Sequence, residues 1–272
     1  MIVTDIDGTL IKDDHNALPP RVLAALEAAR RKGVIVCAVT ARGLYDAKRV
    51  LSMSGITGLC AVSNGAALRD IKTGEIQYQR ALDKQKLSTI LSLCRESNAR
   101  MHISTKEGYV LCNELSGARR PRPWDMSDWP EEDKPRHIVY DTVEETVERV
   151  GSGAELICIH SISGEPFGGD FYRSLLRAGE LSITSSHPGG LDVMAGGVGK
   201  ARGLRLLCQA HGIAPEHVMA CGDHNNDIDM IRLAGLGVCV ANGQPGPRAA
   251  ADYVCPPNTE EGVAEAIERF VL

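Results

Sequence analysis

The sequence predicts an α/β fold in which a doubly wound, Rossmann-like parallel sheet is interrupted by an inserted α+β domain. Two terminal regions of about 80 residues each alternate short apolar strands with helices, which is the rhythm of β-α-β units. The region between them mixes strands and helices in another order. The length of 272 residues exceeds the ~100–200 residues of a typical domain, so one large domain or two modest domains are expected.

The N-terminal region begins with a short buried strand and continues as helix, strand, helix and strand. Pro19 and Pro20 precede a helical apolar stripe that ends at Gly33, as expected of proline at a helix start and glycine at its end. Val34–Val39 is apolar throughout and rich in β-branched residues, which is typical of a strand covered on both faces. The predicted elements are Met1–Asp5, the helix from Pro20, Val34–Val39, Leu44–Met53 and Leu59–Ser63.

The C-terminal region repeats this alternation. In the predicted helix Lys200–His211, the side chains of Leu204, Leu207 and Cys208 share one face, and Glu260–Phe270 is a final amphipathic helix. The elements between these two helices are a strand at Val218–Cys221, a helix at Asn226–Ala234 and a strand at Gly237–Val240.

The middle region is predicted to form an α+β domain of its own. Its helices are Lys84–Ser97, Thr142–Val150 and Phe171–Ala178, and its strands are Met101–Ser104, Tyr109–Cys112, His137–Tyr140, Leu156–Ser161 and Leu181–Ser185. The polar loop Ser116–Arg136 is longer than an ordinary connection, which indicates a functional lid or a disordered segment. We therefore expect a discontinuous core of residues 1–80 and 188–272 and an inserted domain of residues 81–187.

Composition and charge exclude several classes of protein. A net charge of −5 provides no electrostatic basis for binding nucleic acid or a membrane surface, and an aromatic content of 4% argues against a base-stacking platform. The longest apolar run, Val34–Val39, is far shorter than the ~20 residues of a membrane span, and the acidic N-terminus does not resemble a signal peptide. Nine scattered cysteines without C-x-x-C argue against a disulfide framework or a zinc site and predict a reduced, cytoplasmic protein.

Acidic side chains follow the first strand and one strand of the C-terminal region. Asp5 and Asp7 end the first strand, and Asp223 and Asp227 follow Val218–Cys221. Because ligands bind beyond the carboxyl ends of parallel strands, we expect these four carboxylates to converge at one edge of the sheet. Neighbouring carboxylates destabilise one another unless a cation lies between them, and oxygen ligands suit a hard cation, which predicts Mg²⁺.

A lysine and a threonine complete the predicted cluster. Lys200 opens a helix, where a cation is unfavourable to the helix dipole, so we expect it to neutralise a carboxylate or a phosphate. Thr40 follows the second strand and offers its hydroxyl, with the amides after it, to phosphate oxygens. Carboxylates, Mg²⁺, lysine and amide donors together indicate phosphoryl transfer, in which a carboxylate can act as the nucleophile.

These motifs resemble those of the haloacid dehalogenase superfamily. The matching segments are D-x-D-G-T-L at residues 5–10, Thr40, Lys200 and G-D-x-x-N-D at residues 222–227. The insertion after the third strand looks like the cap of the Cof-like sugar-phosphate phosphatases, and the resemblance covers essentially the whole chain. It implies a Mg²⁺-dependent phosphatase that hydrolyses a small phosphorylated metabolite through an aspartyl-phosphate, with a cap that closes over the substrate.

The resemblance also implies roles for individual residues. Asp5 corresponds to the nucleophile and a metal ligand, and Asp7 to the general acid/base, whose backbone carbonyl would also bind the metal. Asp223 corresponds to the second acidic metal ligand, and Lys200 to the cation that bridges nucleophile and phosphate. The phosphate is expected to contact Ile6, Asp7, Thr40, Ala41, Lys200 and Asn226, with Asp227, Arg42 and Asn64 in supporting positions.

Several of these positions allow two interpretations. Ala41 stands where the family often has glycine, and it keeps the amide while adding a methyl group near the phosphate. Arg42 would serve the phosphate side or form a salt bridge at a helix start, and Asn64 with Gly65 would line the site or only form a turn. His224 lies in the fourth motif and is a further candidate for substrate contact.

Other functions on the same motifs stay open at this point. A phosphomutase would form the same phosphoenzyme and return the phosphate to a sugar, which isomerisation with a bisphosphorylated sugar would reveal. A non-catalytic phosphometabolite sensor would typically lack the nucleophile, whereas Asp5 and Asp7 are both present. Dehalogenases of the family lack the second aspartate, and a phosphonate hydrolase would need a cap lysine for which no motif is seen.

The substrate itself is not encoded in a readable pattern. Sugar phosphates are the first expectation from the resemblance, and phosphorylated cofactors are an alternative. The basic loop around residue 120 is better interpreted as a solvated segment than as a specificity site. Its candidate side chains are Arg119, Arg120, Arg122 and Trp124, and the histidines interpreted as structural are His102, His160 and His187.

Overall fold

The structure, a computed structural model, describes residues 1–11, 18–116, 134, 136–162, 167–186 and 189–272. It divides into two compact units, of which the first comprises Met1–Tyr78 and Gly199–Leu272 and the second comprises Gln79–Val198. The arginines and tryptophans of the loop around residue 120, and His187, lie outside the described residues.

The first unit contains a five-stranded parallel sheet flanked by helices. The strands of the whole unit are β1 (Ile2–Thr4), β2 (Val36–Ala38), β3 (Leu59–Val62), β4 (Ala67–Asp70), β5 (Ile76–Gln79), β12 (Met219–Gly222), β13 (Leu236–Val240) and β14 (Tyr253–Cys255). Its helices are α1 (Pro20–Arg31), α2 (Leu44–Met53), α7 (Lys200–His211), α8 (Ile228–Leu233), α9 (Pro245–Ala250) and α10 (Gly262–Phe270). The sheet has the order β14-β13-β12-β1-β2, so β1 lies between strands from opposite ends of the chain.

Alternate side chains of the sheet enter two separate hydrophobic cores. In β1, Ile2 packs with residues of α1, α2 and α10, whereas Val3 packs with residues of α7 and α8 on the other face. The same alternation separates Cys221 from Ala220 in β12. Because successive side chains of a strand point to opposite faces, an all-apolar strand requires helices on both sides. The predicted doubly wound α/β fold is confirmed.

The third predicted strand departs from the parallel sheet. Among the described residues, an isolated parallel bridge between Val39 and Ala61 joins β3 to the sheet. β3 pairs antiparallel with β4 to begin the three-stranded sheet β3-β4-β5. The chain reverses at Ser63 and Asn64, which both have positive φ, so β4 returns along β3. Neither β4 nor β5 was predicted, because each has only four residues and about half of them are polar.

The second unit is a six-stranded sheet with helices. Its strands are β6 (Ala99–Ser104), β7 (Tyr109–Cys112), β8 (His137–Tyr140), β9 (Leu156–Ser161), β10 (Leu181–Thr184) and β11 (Gly190–Ala195), in the order β10-β11-β9-β6-β7-β8. Its helices are α3 (Lys84–Glu96), α4 (Asn113–Ser116), α5 (Val143–Val150) and α6 (Gly169–Arg177). The neighbouring strands are antiparallel except β7 and β8.

The second unit extends about ten residues beyond the boundary expected at residue 188. β11 was assigned to the core, but it pairs antiparallel with both β9 and β10, so it is an interior strand of the second unit's sheet. The second unit therefore ends at Val198, immediately before α7 begins. The missed strand begins at the second glycine of a Pro-Gly-Gly segment, and it takes its place in the sheet by pairing with β9 and β10.

All nine cysteines are buried, free thiols. In the part of the chain that the structure describes, no helix combines the length and apolar character needed to cross a membrane.

Candidate active site

Three neighbouring strands bring the predicted motifs to one edge of the first unit's sheet. The register aligns Thr4 of β1 with Ala38 of β2 and with Cys221 of β12, so the chain leaves all three strands at the same level. The ladder continues one residue further, because the Asp5 amide donates to the Cys221 carbonyl at 2.9 Å. The loops that follow these strands carry Asp5, Thr40 and Asp223, and they form one cluster at the carboxyl edge.

Lys200 is the buried cation of this cluster. Its Nζ lies 2.8 Å from Asp5 Oδ1 and 2.6 Å from Asp227 Oδ1, and only 2% of the residue is exposed. Burial disfavours the charged form, but the neighbouring Asp227 and Asp5 outweigh it and raise the pKa of Lys200. The two carboxylates thus account for a lysine at the first position of α7, where the helix dipole disfavours it.

Close packing of α7 places Lys200 at this edge. A side chain at Gly203, one turn into the helix, would lie 2.8 Å from the Ala61 Cβ and 3.1 Å from a Val39 methyl group. Any larger residue would push the helix away from β2 and β3 and would move the lysine with it. The glycine therefore sets the position of the Lys200 ammonium through the approach of its helix.

Asp227 organises the loop after β12. Its Oδ2 accepts hydrogen bonds from the amides of Asp223 at 3.0 Å and His224 at 2.9 Å, while Oδ1 accepts from Lys200. Asp227 is completely buried, so its charge is balanced by these donors rather than by water. Both of its oxygens are engaged within the protein, which suits a supporting residue that shapes the site.

Three carboxylates lie close enough to share a metal ion. One oxygen from each of Asp5, Asp223 and Asp227 lies within 4.8 Å of the others. Burial raises the pKa of Asp5 well above its usual range despite Lys200, and burial together with Asp227 raises the pKa of Asp223 to about 6. A hard divalent cation prefers carboxylate oxygens in such a negatively charged, buried cluster, so Asp5 and Asp223 fit Mg²⁺, with Asp227 beside them in its supporting position.

Gly8 and Thr9 hold Asp223 in this arrangement. Gly8 has φ +74°, and a Cβ there would lie 2.4 Å from Asp223 Oδ2, so the loop accepts the carboxylate only because residue 8 has no side chain. The Thr9 hydroxyl donates to Asp223 Oδ1 at 2.8 Å, and the Asn242 amide donates to the Gly8 carbonyl at 2.8 Å. The first and fourth motifs are therefore joined directly.

Asp7 lies at the more exposed side of the cluster and forms an ion pair with Arg42. The Arg42 Nε is 2.7 Å from Asp7 Oδ2 and its Nη2 is 2.5 Å from Asp7 Oδ1, a bidentate geometry. The Asp7 side chain is 40% exposed, whereas Arg42 is 5% exposed and also donates to the Asp46 carbonyl. Of the two interpretations of Arg42, the structure therefore supports a salt bridge, although with the predicted acid/base residue itself.

The remaining predicted residues lie around Thr40. The Thr40 hydroxyl oxygen accepts the Arg42 amide at 3.1 Å, and the Thr40 carbonyl accepts the Asn64 amide at 2.8 Å. Asn64 is buried with φ +56°, so it does form the expected turn, and its Oδ1 also accepts from Asn226 Nδ2 at 3.0 Å. Asn64 thus forms the turn and contacts Asn226, and its place in the site stays a prediction. Ala41 is partly exposed beside this group.

Sequence reasoning missed three residues that support the cluster. It also named His224 as a candidate for substrate contact, and the structure places this side chain against another residue. Thr9 holds the Asp223 carboxylate, and Asn242 holds the Gly8 carbonyl in the loop after β1. Asn258 supports Asn242 by donating its backbone amide to Asn242 Oδ1 at 2.8 Å. Asn242 follows β13, the neighbour of β12, so the rule that found the other residues would have found it too. His224 lies against Gln244, with their Nε2 atoms 2.7 Å apart.

The raised pKa of Asp223 predicts a pH dependence of stability without metal. An unfolded aspartate titrates near 3.8, so between pH 4 and about 6 the folded chain binds more protons than the unfolded chain. The contribution of Asp223 to the free energy of unfolding is therefore fully present below pH 4 and is lost as the pH rises through 6. Denaturant unfolding in metal-free buffer should show Asp223→Asn gaining stability over wild type across this window. A constant difference between the two proteins from pH 4 to 7 would contradict the assignment.

A family model describing haloacid dehalogenase-like hydrolases matches residues 2–267. The chain belongs to this family. Among curated relatives, 5-amino-6-(5-phospho-D-ribitylamino)uracil phosphatase of Bacillus subtilis is 27% identical and is aligned over 100% of this chain and 96% of its own length. Phosphoglycolate phosphatase of Methanothermobacter thermautotrophicus is 29% identical, with 99% of this chain and 98% of the relative covered.

Solved structures show the same fold over the whole chain. A haloacid dehalogenase-like hydrolase from Bacillus subtilis superposes with a TM-score of 0.82 at 22% identity, covering 99% of both chains. A subclass IIB sugar phosphatase superposes with a TM-score of 0.80 at 23% identity, covering 99% of this chain and 98% of the other. The predictions of a haloacid dehalogenase-like family and of an enzyme of its phosphatase group are confirmed.

Proposed function

We propose that this protein is a Mg²⁺-dependent phosphatase that hydrolyses a small phosphorylated metabolite through a covalent aspartyl-phosphate on Asp5. The observation that carries the proposal is the cluster of three carboxylates around the buried Lys200 at the carboxyl edge of the sheet. Membership of a hydrolase family and similarity to phosphatases support the same chemistry. The position of Asp5, the proposed nucleophile, beside the buried Lys200 supports it as well.

The reaction divides into two displacements at phosphorus. An oxygen of Asp5 attacks the phosphoryl group and the bond from phosphorus to the leaving oxygen breaks, while Asp7 transfers a proton to that oxygen. Asp7 then removes a proton from water as the water oxygen attacks phosphorus, and the Asp5–phosphorus bond breaks to release inorganic phosphate. Lys200, which lies 2.8 Å from Asp5, would stabilise the charge on the phosphoryl oxygens throughout.

The metal ligands in this proposal are Asp5, Asp223 and the Asp7 backbone carbonyl. Thr9 and Gly8 fix Asp223, and Asp227 holds the loop from within, so the oxygens are positioned before a cation arrives. Bound Mg²⁺ would neutralise these carboxylates and the phosphoryl oxygens, which favours the ionised form of each carboxylate.

The hydrogen-bond donors that would bind the substrate phosphate come from three loops. The Thr40 hydroxyl oxygen already accepts the Arg42 amide, which directs its own O–H towards another acceptor such as a phosphate oxygen. The amides of Ile6, Asp7 and Ala41 and the Nδ2 of Asn226 would supply further N–H groups. Together with Lys200, they form a preorganised set of donors for a trigonal-bipyramidal phosphoryl group.

The substrate class proposed first is a sugar phosphate or a related phosphorylated small molecule. One structural neighbour is a sugar phosphatase, one relative is a phosphoglycolate phosphatase, and one acts on a phosphoribitylamino-uracil. These substrates share a phosphate monoester on a short polyhydroxylated or acidic carbon chain. A panel that contains each of the three types therefore samples the range best supported by similarity.

Metal removal tests the proposed chemistry. Phosphate release from p-nitrophenyl phosphate and from the metabolite panel should fall to background after complete chelation and should return when Mg²⁺ is restored in excess, because the carboxylate cluster requires a divalent cation. Inactivity with every ester, or activity that survives full chelation, would overturn the proposal. Isomerisation of a sugar phosphate in place of phosphate release would identify a mutase.

Replacement of Arg42 tests how Asp7 is held. Arg42→Lys keeps the charge but loses the bidentate fork, so we expect kcat to fall by about 10- to 100-fold while the fold is retained. The matched control is Arg21→Lys, since Arg21 forms the same two-bonded pair with Glu268 on the exposed surface. Equal kcat values for the two variants would show that the guanidinium fork does not orient the acid/base residue.

A further inference from the structure

The sheet of the second unit carries a cluster of metal-binding side chains that the phosphatase mechanism does not use. The register pairs Cys158 of β9 with His102 of β6 on one side and with Asp192 of β11 on the other. His160 lies two residues beyond Cys158 on the same strand. Because paired residues and residues two apart share a face of a sheet, all four side chains lie on one face.

The distances between these side chains are those of a nearly assembled site. One donor atom from each of His102, Cys158 and His160 lies within 4.8 Å of the others, and the Cys158 Sγ is 3.3 Å from the His160 Nε2. The two imidazole rings are 5.5 Å apart between centroids. A tetrahedral ion with bonds of about 2.0–2.3 Å would draw the three donors together by only a small movement.

Burial and supporting contacts distinguish the cluster from chance neighbours on a surface. Cys158 is 5% exposed and Asp192 is 1% exposed, while the two histidines are half-buried. The Asp192 carboxylate is a hydrogen-bond partner of the Cys158 thiol, and Tyr109 packs edge-on against His102 with ring centroids 5.1 Å apart. Asp192 beside the Cys158 sulfur and Tyr109 against the His102 ring are therefore in a position to orient these side chains as metal ligands.

We infer that His102, Cys158 and His160 form a binding site for Zn²⁺ or a similar transition-metal ion, with Asp192 as a fourth ligand or an outer partner of Cys158. One thiolate and two imidazoles are donors that Zn²⁺ and Co²⁺ prefer, whereas Mg²⁺ prefers oxygen. Binding replaces the Cys158 S–H bond with a metal–sulfur bond and releases that proton to solvent. The site ties β6 to β9 and is independent of the proposed phosphatase chemistry.

The test is a titration of the full-length, metal-stripped protein with Co²⁺ in excess Mg²⁺. We expect one equivalent of Co²⁺ to give a thiolate-to-cobalt charge-transfer band with tetrahedral d–d absorption, and Zn²⁺ to abolish both. Cobalt bound by oxygen ligands in the Asp5 cluster gives no thiolate band, so Asp5→Asn should leave the spectrum unchanged. Cys112→Ser, at another buried cysteine of the second unit, should also leave it unchanged.

Variants of the ligands decide between the site and a hydrogen-bonded cluster. Cys158→Ser should lose the charge-transfer band, and His160→Gln, at a half-buried position, should weaken Co²⁺ binding by about 10-fold or more with an unchanged circular dichroism spectrum. If Cys158→Ser does not fold, the His160→Gln titration carries the test alone. Wild-type protein without a thiolate band, or a band that survives both substitutions, would overturn the inference.

Discussion

Asp5→Asn is expected to lower the rate of phosphate release by roughly 10⁴-fold or more, because the amide cannot form the phosphoenzyme and only binding and charge stabilisation remain. Folding should not suffer. Burial raises the pKa of Asp5, so its ionised form opposes folding at neutral pH, and the neutral amide should raise the free energy of unfolding in metal-free buffer. Loss of activity with gain of stability is the pattern of a functional rather than a structural carboxylate.

The measurement combines steady-state phosphate release with acid quenching of the enzyme on a ³²P-labelled substrate found in the panel. Wild type should retain acid-stable label on the protein, and Asp5→Asn should retain none. Asp229→Asn is the matched control, because Asp229 is an exposed aspartate in the first turn of α8, just after the fourth motif. An Asp5→Asn enzyme that keeps more than about a hundredth of the wild-type rate would contradict the assigned nucleophile.

Lys200→Met is expected to lower the free energy of unfolding by about 3–5 kcal/mol at neutral pH without metal, because removal of the ammonium leaves Asp5 and Asp227 buried without their cation. The loss should shrink as the pH falls, since protonation of the carboxylates removes the repulsion that the lysine had balanced. Phosphate release should fall by about 10²-fold or more in the same variant.

Urea unfolding at several pH values measures this effect, with Lys86→Met as the control. Lys86 pairs with Asp83 at 2.7 Å on the surface of α3, and such exposed pairs contribute about 0–1 kcal/mol. The double variant Lys200→Met/Asp227→Asn should recover part of the lost stability, because one of the two uncompensated charges is gone. If Lys200→Met is no more destabilising than Lys86→Met, Lys200 does not neutralise the carboxylates.

Most of the parallel core could be predicted because nearly all side chains of its strands are apolar and its helices begin and end at clear signals. The bounds of Leu44–Met53, Leu156–Ser161 and Lys200–His211 agree with the structure at both ends. β4, β5, β11 and β14 were missed. β4, β5 and β14 have only three or four residues, and β11 takes its place from pairing with two antiparallel partners, so local sequence carries little signal for these strands.

By itself, the sequence determined the fold class, the order of the motifs and the residue types at the strand ends, because these depend on local periodicity and on the rule that parallel strands end at one edge. Only the tertiary structure decided the partners. It paired Asp7 with Arg42, joined Thr9 to Asp223 and aligned Cys158 with His102 across the sheet. Spacing along the chain could not reveal these contacts, since they depend on strand register and on loops separated by up to 214 residues.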